Sequence, residues 1–117
     1  MESNYGLMIK KIYAGFNARN IDTIFSVMSP SVYWPKAFDG GYITGYEAVR
    51  AYWTKQWSEI NPKVEPVAIT KRPDGKVEVL VDQLVKNLNG NILFQGQVKH
   101  IYTIKDNLIS SMDIEAS

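Results

Sequence analysis

The sequence contains no cysteine, and this absence excludes disulfide bonds, thiolate metal sites and a cysteine nucleophile. It also contains a single histidine, His100, and its carboxylates do not form a cluster. A protein metal site usually needs several such ligands close together. We therefore predict neither a metal site nor a cofactor.

The sequence also lacks a large net charge and long apolar runs. The 13 basic residues nearly balance the 12 acidic ones, for a formal net charge of +1. Nucleic acids and anionic membranes are normally bound by a basic patch, so we predict neither as a partner. No apolar run approaches the ~20 residues of a membrane span, and the first residues lack a signal-peptide pattern. We expect a cytoplasmic protein.

Aromatic residues, by contrast, are plentiful. The chain of 117 residues has seven Tyr, four Phe and three Trp, which is enough to line a cavity as well as fill a core. Its length and continuous pattern fit one domain, 1–117. Among candidate ligands, a small apolar molecule fits this composition best.

The stretch from Val77 to Ile114 reads as three consecutive β-strands. It is rich in β-branched and aliphatic residues, and it is interrupted at Asn89-Gly90 and at Asp106-Asn107. Asn, Asp and Gly tolerate the positive φ angles of tight hairpin turns. The stretch therefore predicts two successive hairpins with turns of two residues each.

These turns predict the register of the strands. The first hairpin places Val81 opposite Val98, and the second places His100 opposite Asp113. A carboxylate across the strand can hold an imidazole in one tautomer. His100 and Asp113 are therefore our first catalytic candidates.

Side-chain alternation divides this sheet into two faces, and neither is plainly polar. One face is predicted to carry Val79, Val81, Gln83, Val98, His100, Tyr102, Ser111 and Asp113. The other is predicted to carry Leu80, Asp82, Leu84, Lys99, Ile101, Thr103, Met112 and Ile114. Because helices can cover only one face, we predict a homodimer that forms through the sheet.

The remaining residues predict three helices, two further strands and a loop. Apolar spacing gives helices over 5–18, 21–28 and 46–60, strands over 31–34 and 63–72, and a loop over 35–44 that contains Phe38 and Tyr42.

This order of elements resembles the nuclear transport factor 2-like superfamily, and three runs carry the resemblance. The runs 13–22 and 45–53 are similar to the family's first helix junction and to the start of its third helix. The run 100–109 is similar to the closing hairpin of the branch of SnoaL-like polyketide cyclases. The resemblance implies an α+β, cystatin-like cone, with three N-terminal helices packed on a curved four- to five-stranded antiparallel sheet.

The resemblance transfers little of the family's chemistry. Where ketosteroid isomerases of this fold have a general-base Asp before a Pro, this chain has Trp34. Their protonated Asp falls at Lys99, and their first-helix Tyr falls near Ile12, next to Tyr13. Proton abstraction by that set of residues is not expected here.

Two other branches of the superfamily give a further comparison. The last-strand carboxylate of the epoxide hydrolases falls at Ile114, whereas the cyclases use a His and an Asp on the late strands. His100 and Asp113 resemble that cyclase pair.

Each candidate also has a structural interpretation. His100 with Asp113 is either an oriented general base or a buried cross-strand pair. Asp82 and Lys99 are either a catalytic acid with an electrophilic cation or an ion pair. The catalytic candidates are thus His100, Asp113 and Asp82.

The tryptophans are either an aromatic wall for a flat ligand or ordinary core, and both interpretations can hold together. We predict a cavity between the third helix, Trp34 and the strand of Lys99, Ile101 and Thr103. Residues expected to contact a ligand are Trp34, Tyr52, Trp53, Trp57, Leu80, Lys99, Ile101 and Met112. Three functions remain open: an acid/base isomerase or cyclase acting on a hydrophobic carbonyl compound, a non-catalytic binding protein, and a dimeric scaffold.

Overall fold

A computed structural model describes residues 4–36 and 40–116. The elements in these ranges are α1 (Asn4–Ala18), α2 (Ile21–Phe25), β1 (Met28–Pro35), β2 (Tyr42–Thr44), α3 (Tyr46–Glu59), β3 (Ile60–Lys71), β4 (Val77–Asn87), β5 (Ile92–Lys105) and β6 (Leu108–Ala116). The strands form one curved sheet in the order β2-β1-β6-β5-β4-β3. None of the helices in these ranges is long and apolar enough to cross a membrane.

The predicted α+β architecture is confirmed, but its details differ. The described residues form a sheet of six strands, because Tyr42–Thr44 adds a strand within the predicted loop. Three residues after a Gly-Gly pair are too short a run to show strand periodicity. Strand β1 pairs with β6 in parallel, and α3 follows two strands, so the sheet is mixed and one helix is not N-terminal. Residues 37–39 of the predicted loop, including Phe38, lie outside the described residues.

The junction of α1 and α2 is built around Gly15 and Arg19. A Cβ on Gly15 would lie 2.8 Å from Ile24 Cγ1, so a side chain there would push the two helices apart. Arg19 ends α1 with a positive φ of 60°. Its guanidinium donates to the carbonyls of Phe16 and Pro62, both at 2.9 Å. These bonds fix α1 against the start of β3.

The core between helices and sheet is aromatic, with Trp53 of α3 at its centre. The Trp53 side chain is 2% exposed. Its ring lies 5.6 Å from Trp34, 5.7 Å from Phe16 and 5.9 Å from Trp57 between centroids. Offset and edge-to-face aromatic pairs at such distances stabilise a core beyond their buried area.

The turn between β4 and β5 is one residue longer than predicted. The Asn87 N–H donates to the Asn91 carbonyl at 2.8 Å, so residues 88–90 form a three-residue turn. Gly90 has a φ of 92°, the left-handed conformation that closes such turns.

A bulge in β5 then offsets the longer turn. Leu93 has no partner on β4, and pairing resumes one residue further along. Val81 therefore lies opposite Val98, as predicted. The predicted register is confirmed even though the predicted turn is wrong.

In the second hairpin the predicted turn is confirmed and the predicted register is wrong. Its two-residue turn is the predicted one, with φ angles of 55° and 64° at Asp106 and Asn107. Beyond the turn, β6 bulges at Ser110 and the pairing shifts by one residue. His100 lies opposite Ile114 instead of Asp113, so the predicted His100–Asp113 pair is wrong. Because neighbouring strand residues point to opposite faces, the shift also separates the two side chains.

The sheet therefore has a helix side and an outer face, which differ from the predicted division at β6. The helix side carries Val77, Val79, Val81, Gln83, Val85, His100, Tyr102, Met112 and Ile114. The outer face carries Leu80, Asp82, Lys99, Ile101, Thr103, Ser111 and Asp113.

Candidate functional site

A small cavity of about 70 Å³ lies between α1, α3 and the helix side of the sheet. Its walls are mostly apolar and aromatic. They are formed by Ile12, Tyr13, Phe16, Trp34, Pro35, Tyr52, Trp53, Gln56, Pro62, Val64, Gln83, His100, Tyr102, Met112 and Ile114. No carboxylate, Lys or Arg is among these described lining residues, and His100 is the one histidine among them.

A chain of hydrogen bonds ends on the His100 ring. The Tyr102 hydroxyl donates to the Tyr13 hydroxyl at 2.8 Å, and Tyr13 lies 2.7 Å from His100 Nδ1. In the tautomer with the ring proton on Nε2, Tyr13 donates its own proton to Nδ1 and the chain of hydrogen bonds runs in one direction. With Nδ1 engaged, Nε2–H is then the ring group left for a ligand.

Two elements bring these side chains together. His100 and Tyr102 are two residues apart on β5, so both point to the helix side, and Tyr13 reaches them from α1. The Tyr13 ring lies almost parallel to the His100 ring, with centroids 5.9 Å apart and planes at 13°. Tyr102 meets Tyr13 edge-on at 6.4 Å. The imidazole is thus held in one orientation by packing as well as by its hydrogen bond.

Burial keeps the whole chain uncharged. Loss of solvent lowers the pKa of His100 from 6.5 to about 4. Burial also raises the pKa of Tyr102, and together with the neighbouring Tyr102 it raises that of Tyr13. At neutral pH the site offers a neutral N–H donor in an apolar cavity.

The two predicted catalytic carboxylates lie elsewhere. Asp113 is on the outer face, where its Oδ1 accepts from the Tyr42 hydroxyl at 2.7 Å. Asp82 is exposed and accepts from Gln97 Nε2 at 2.8 Å. Neither lines the cavity with His100. Within the described ranges, no three His, Asp or Glu side chains are grouped as metal ligands would be.

Half of the predicted ligand contacts do line the cavity. They are Trp34, Tyr52, Trp53 and Met112, and their contact with a ligand stays a prediction. Trp57 packs beside them, with its ring under the Arg19 guanidinium at 5.1 Å.

The other three predicted contacts are on the wrong side of the sheet. Leu80, Lys99 and Ile101 belong to the outer face, and Lys99 Nζ lies 3.8 Å from Glu78 there. The predicted cavity was therefore placed against the wrong face. The charged residues of β4 all lie on the outer face: Glu78, Asp82 and Lys86. Their positions indicate that the cavity lies on the opposite face, the helix side.

Sequence reasoning missed Tyr13 and Tyr102 as parts of the site. In the sequence, Tyr13 is only the neighbour of Ile12, near which the resemblance places a tyrosine. Tyr102 shares a face with His100 by strand alternation, which was the available signal.

No family model matches this chain, and no curated protein sequence matches it. Solved structures do match. TerC, co-crystallised with polyporic acid, has a TM-score of 0.85 and 24% identity over 98% of this chain and 92% of that chain.

Two further structures cover similar shares of the chain. A nuclear transport factor 2-like protein of unknown function from Burkholderia pseudomallei has a TM-score of 0.84 and 17% identity over 98% of this chain and 92% of that chain. A candidate polyketide cyclase from Sinorhizobium meliloti has a TM-score of 0.75 and 17% identity over 92% of this chain and 93% of that chain. This chain has the nuclear transport factor 2-like fold. The resemblance seen in the sequence is confirmed at the level of the fold.

In this nuclear transport factor 2-like fold, two residues of the chain hold positions at which the resemblance expects carboxylates, and they lie on different faces of the sheet. Trp34 lines the cavity, whereas Lys99 is on the outer face. The described lining around His100 contains Tyr13 and Tyr102 and no carboxylate.

Proposed function

We propose that this protein binds a small apolar molecule through a carbonyl oxygen, and that His100 Nε2 donates a hydrogen bond to that oxygen. The observation that carries the proposal is the Tyr102–Tyr13–His100 chain, which engages Nδ1 and leaves Nε2 as the ring nitrogen for a ligand. An Nε2–H group that a ligand covers loses its access to water, so a ligand oxygen that accepts from it is favoured over a purely hydrocarbon ligand.

The cavity walls support an apolar ligand. Aromatic rings of Trp34 and Trp53 and the thioether of Met112 form much of the lining. Sites of this kind combine apolar walls with few polar groups that orient the ligand. Gln83 and Gln56 supply the remaining polar side-chain groups, together with Tyr52.

The structural relatives point the same way. TerC was co-crystallised with polyporic acid, and the Sinorhizobium meliloti protein is a candidate polyketide cyclase. A ligand complex of a protein with this fold supports a SnoaL-like, ligand-binding role for the site around His100.

A second candidate function is catalysis on the same carbonyl compound, as an isomerase or cyclase. A preorganised donor stabilises negative charge that develops on a carbonyl oxygen during enolisation. No carboxylate is present among the described lining residues to remove the proton, and this makes binding the first proposal. Exchange of ketone α-protons for deuterium, followed by NMR, separates the two functions. Faster exchange with wild type than with His100→Phe indicates catalysis, and equal rates leave binding alone.

The binding proposal is tested with two probes of nearly equal shape, butanone and 2-methylbut-1-ene. The second replaces the carbonyl oxygen with a CH₂ group. Their affinities are compared by NMR titration of the indole N–H signals. In His100→Phe we expect the ratio of ketone to alkene affinity to fall about fivefold or more, the value of one hydrogen bond. Asp113→Asn on the outer face is the matched control and should leave the ratio unchanged. An equal ratio in wild type and His100→Phe contradicts the proposal.

Assembly stays a separate prediction. A homodimer through the outer face would cover Leu80 and Leu84, which are only partly buried in the single chain. Sedimentation at micromolar concentration should then show a species of twice 13.3 kDa. A single species of 13.3 kDa contradicts it.

A further inference from the structure

An open groove of about 310 Å³ runs beside the cavity, between the end of α3 and strands β4 and β5. It is lined by Tyr52, Lys55, Gln56, Glu59, Ile60, Val85, Leu93 and Phe94. We propose that this groove is the outer compartment of the same site and holds the uncharged apolar tail of a ligand whose carbonyl lies at His100. The inference rests on the proposed function.

The two compartments share a wall. Tyr52 and Gln56 line both of them, and they are one helical turn apart on the same face of α3. The Gln56 amide donates to the Tyr52 hydroxyl at 3.2 Å, the long end of the usual range. The side chains of these two residues therefore form a wall that the cavity and the groove have in common.

Size requires a second compartment for all but the smallest ligands. The inner cavity measures about 70 Å³, while an apolar cavity of about 150 Å³ is known to hold benzene. Sites for small molecules are usually about 300 to 1,000 Å³. The groove, at about 310 Å³, reaches that range. A ligand with more than a few carbons beyond its carbonyl must therefore extend into the groove.

The bulge in β5 builds the apolar surface of the groove. Consecutive strand residues normally point to opposite faces, yet Leu93 and Phe94 both line the groove. The unpaired Leu93 makes this possible, because a bulge re-aims side chains. Leu93 is 57% exposed and Phe94 is 39% exposed, so this surface lacks a cover within the described chain. A ligand tail would supply one.

Gly96 connects this surface to the inner cavity. The Phe94 ring lies against Gly96, where a Cβ would come within 3.3 Å of the ring. Gly96 is paired with Gln83, which lines the inner cavity. The absence of a side chain at Gly96 therefore leaves the Phe94 ring directly beside the cavity wall.

Charge at the rim favours an uncharged tail. Lys55 Nζ lies 2.9 Å from Glu59 Oε2, one helical turn away. The two opposite charges balance each other, so the described lining residues give the rim no net charge to attract an ionic end. A long-chain or aryl ketone fits both compartments.

The test uses methyl ketones of increasing length, from butanone to decan-2-one, titrated against the intrinsic tryptophan fluorescence. In wild type we expect affinity to rise about fourfold for each methylene that enters the groove. In the double variant Leu93→Ser/Phe94→Ser the rise should be largely lost for the longer ketones, and the affinity for butanone should change least. Leu88→Ser is the matched control, because Leu88 is 63% exposed and does not line the groove.

The outcomes separate this inference from the proposed function. If butanone binding depends on His100 but chain length has the same effect in wild type and the double variant, the groove inference is overturned and the proposed function stands. If no ketone binds to the wild type, both fall. Leu93→Ser alone provides a second variant should the double one fail to fold, and it should give a smaller loss of the same kind.

Discussion

The two faces of the sheet hold their polar side chains in different ways. On the helix side, His100, Tyr13 and Tyr102 form a buried chain in which no member is charged at neutral pH. On the outer face, Asp113 accepts from the exposed Tyr42 at 2.7 Å. Burial therefore keeps the polar groups on the helix side neutral and away from water, whereas water can replace the hydrogen bonds on the outer face.

This difference decides where binding chemistry is possible. A hydrogen bond to a ligand is worth more where water is excluded, because the unpaired alternative costs more there. The helix side meets this condition, and the outer face does not. Substitutions on the helix side should therefore have larger effects than comparable substitutions on the outer face.

The largest contrast is expected from removing an aromatic ring on each side. Trp53→Ala should lower the free energy of unfolding by about 3 to 5 kcal/mol, because it leaves a void in the core. Tyr33→Ala on the outer face, where Tyr33 is 47% exposed and stacked on Tyr42, should cost only about 1 kcal/mol. Urea unfolding measures both values. Equal losses would show that the outer face is as enclosed as the core.

The next contrast is the pH dependence of stability. The folded pKa of His100, about 4, is below its unfolded value of 6.5, so between these values the unfolded chain binds more protons. Stability should therefore rise by about 3 kcal/mol from pH 4 to pH 6.5 because of this group, and the gain is fully present above pH 6.5.

His100→Gln separates this effect from that of the carboxylates. The variant keeps all the carboxylates, so the remaining dependence of its stability on pH is the background that it shares with wild type. Urea unfolding over the pH range should give a smaller slope for the variant. Identical slopes would mean that His100 is not buried as the structure has it.

A smaller effect is expected from Tyr13→Phe. The change removes one oxygen and leaves both Tyr102 and His100 Nδ1 without their partner, at a cost of about 1 to 3 kcal/mol. It should also release the His100 tautomer, because the proton donated to Nδ1 is gone. Ring ¹⁵N NMR should show Nε2–H in wild type and a mixture of tautomers in the variant. A wild-type spectrum with the proton on Nδ1 would reverse the assigned direction of the chain.

Most of the fold was predictable, since it depends on patterns that span many residues. The three helices and the long hairpins follow from apolar spacing and from Asn, Asp and Gly at the turns. The register of β4 and β5 was predicted correctly only because the longer turn and the bulge at Leu93 offset each other. A local pattern cannot show such a cancellation.

The site was less predictable, because it depends on one residue of register. Nothing in the run around Ser110 signals a bulge, yet this bulge moves Asp113 away from His100. The face of the cavity was predictable in principle from the charged residues on one side of β4, but both faces contain enough apolar residues to conceal it. Burial of His100 by α1 could not be inferred, since helix placement on a sheet depends on packing across the whole core.

The smallest effect is expected on the outer face, from Asp113→Asn. The hydrogen bond from Tyr42 to Asp113, with the carboxylate charge, raises the pKa of the Tyr42 hydroxyl. A raised folded pKa stabilises the fold below the unfolded value near 10 and loses that effect as the pH rises through the folded value. Because the pair is exposed and water competes for both groups, stability at neutral pH should hardly change. The pKa of Tyr42 should fall toward its ordinary value, which a spectrophotometric titration of tyrosinate measures against Tyr42→Phe. If Asp113→Asn instead weakened ketone binding as strongly as His100→Phe, the two faces would not be independent, and the sequence-based pairing of His100 with Asp113 would have to be reconsidered.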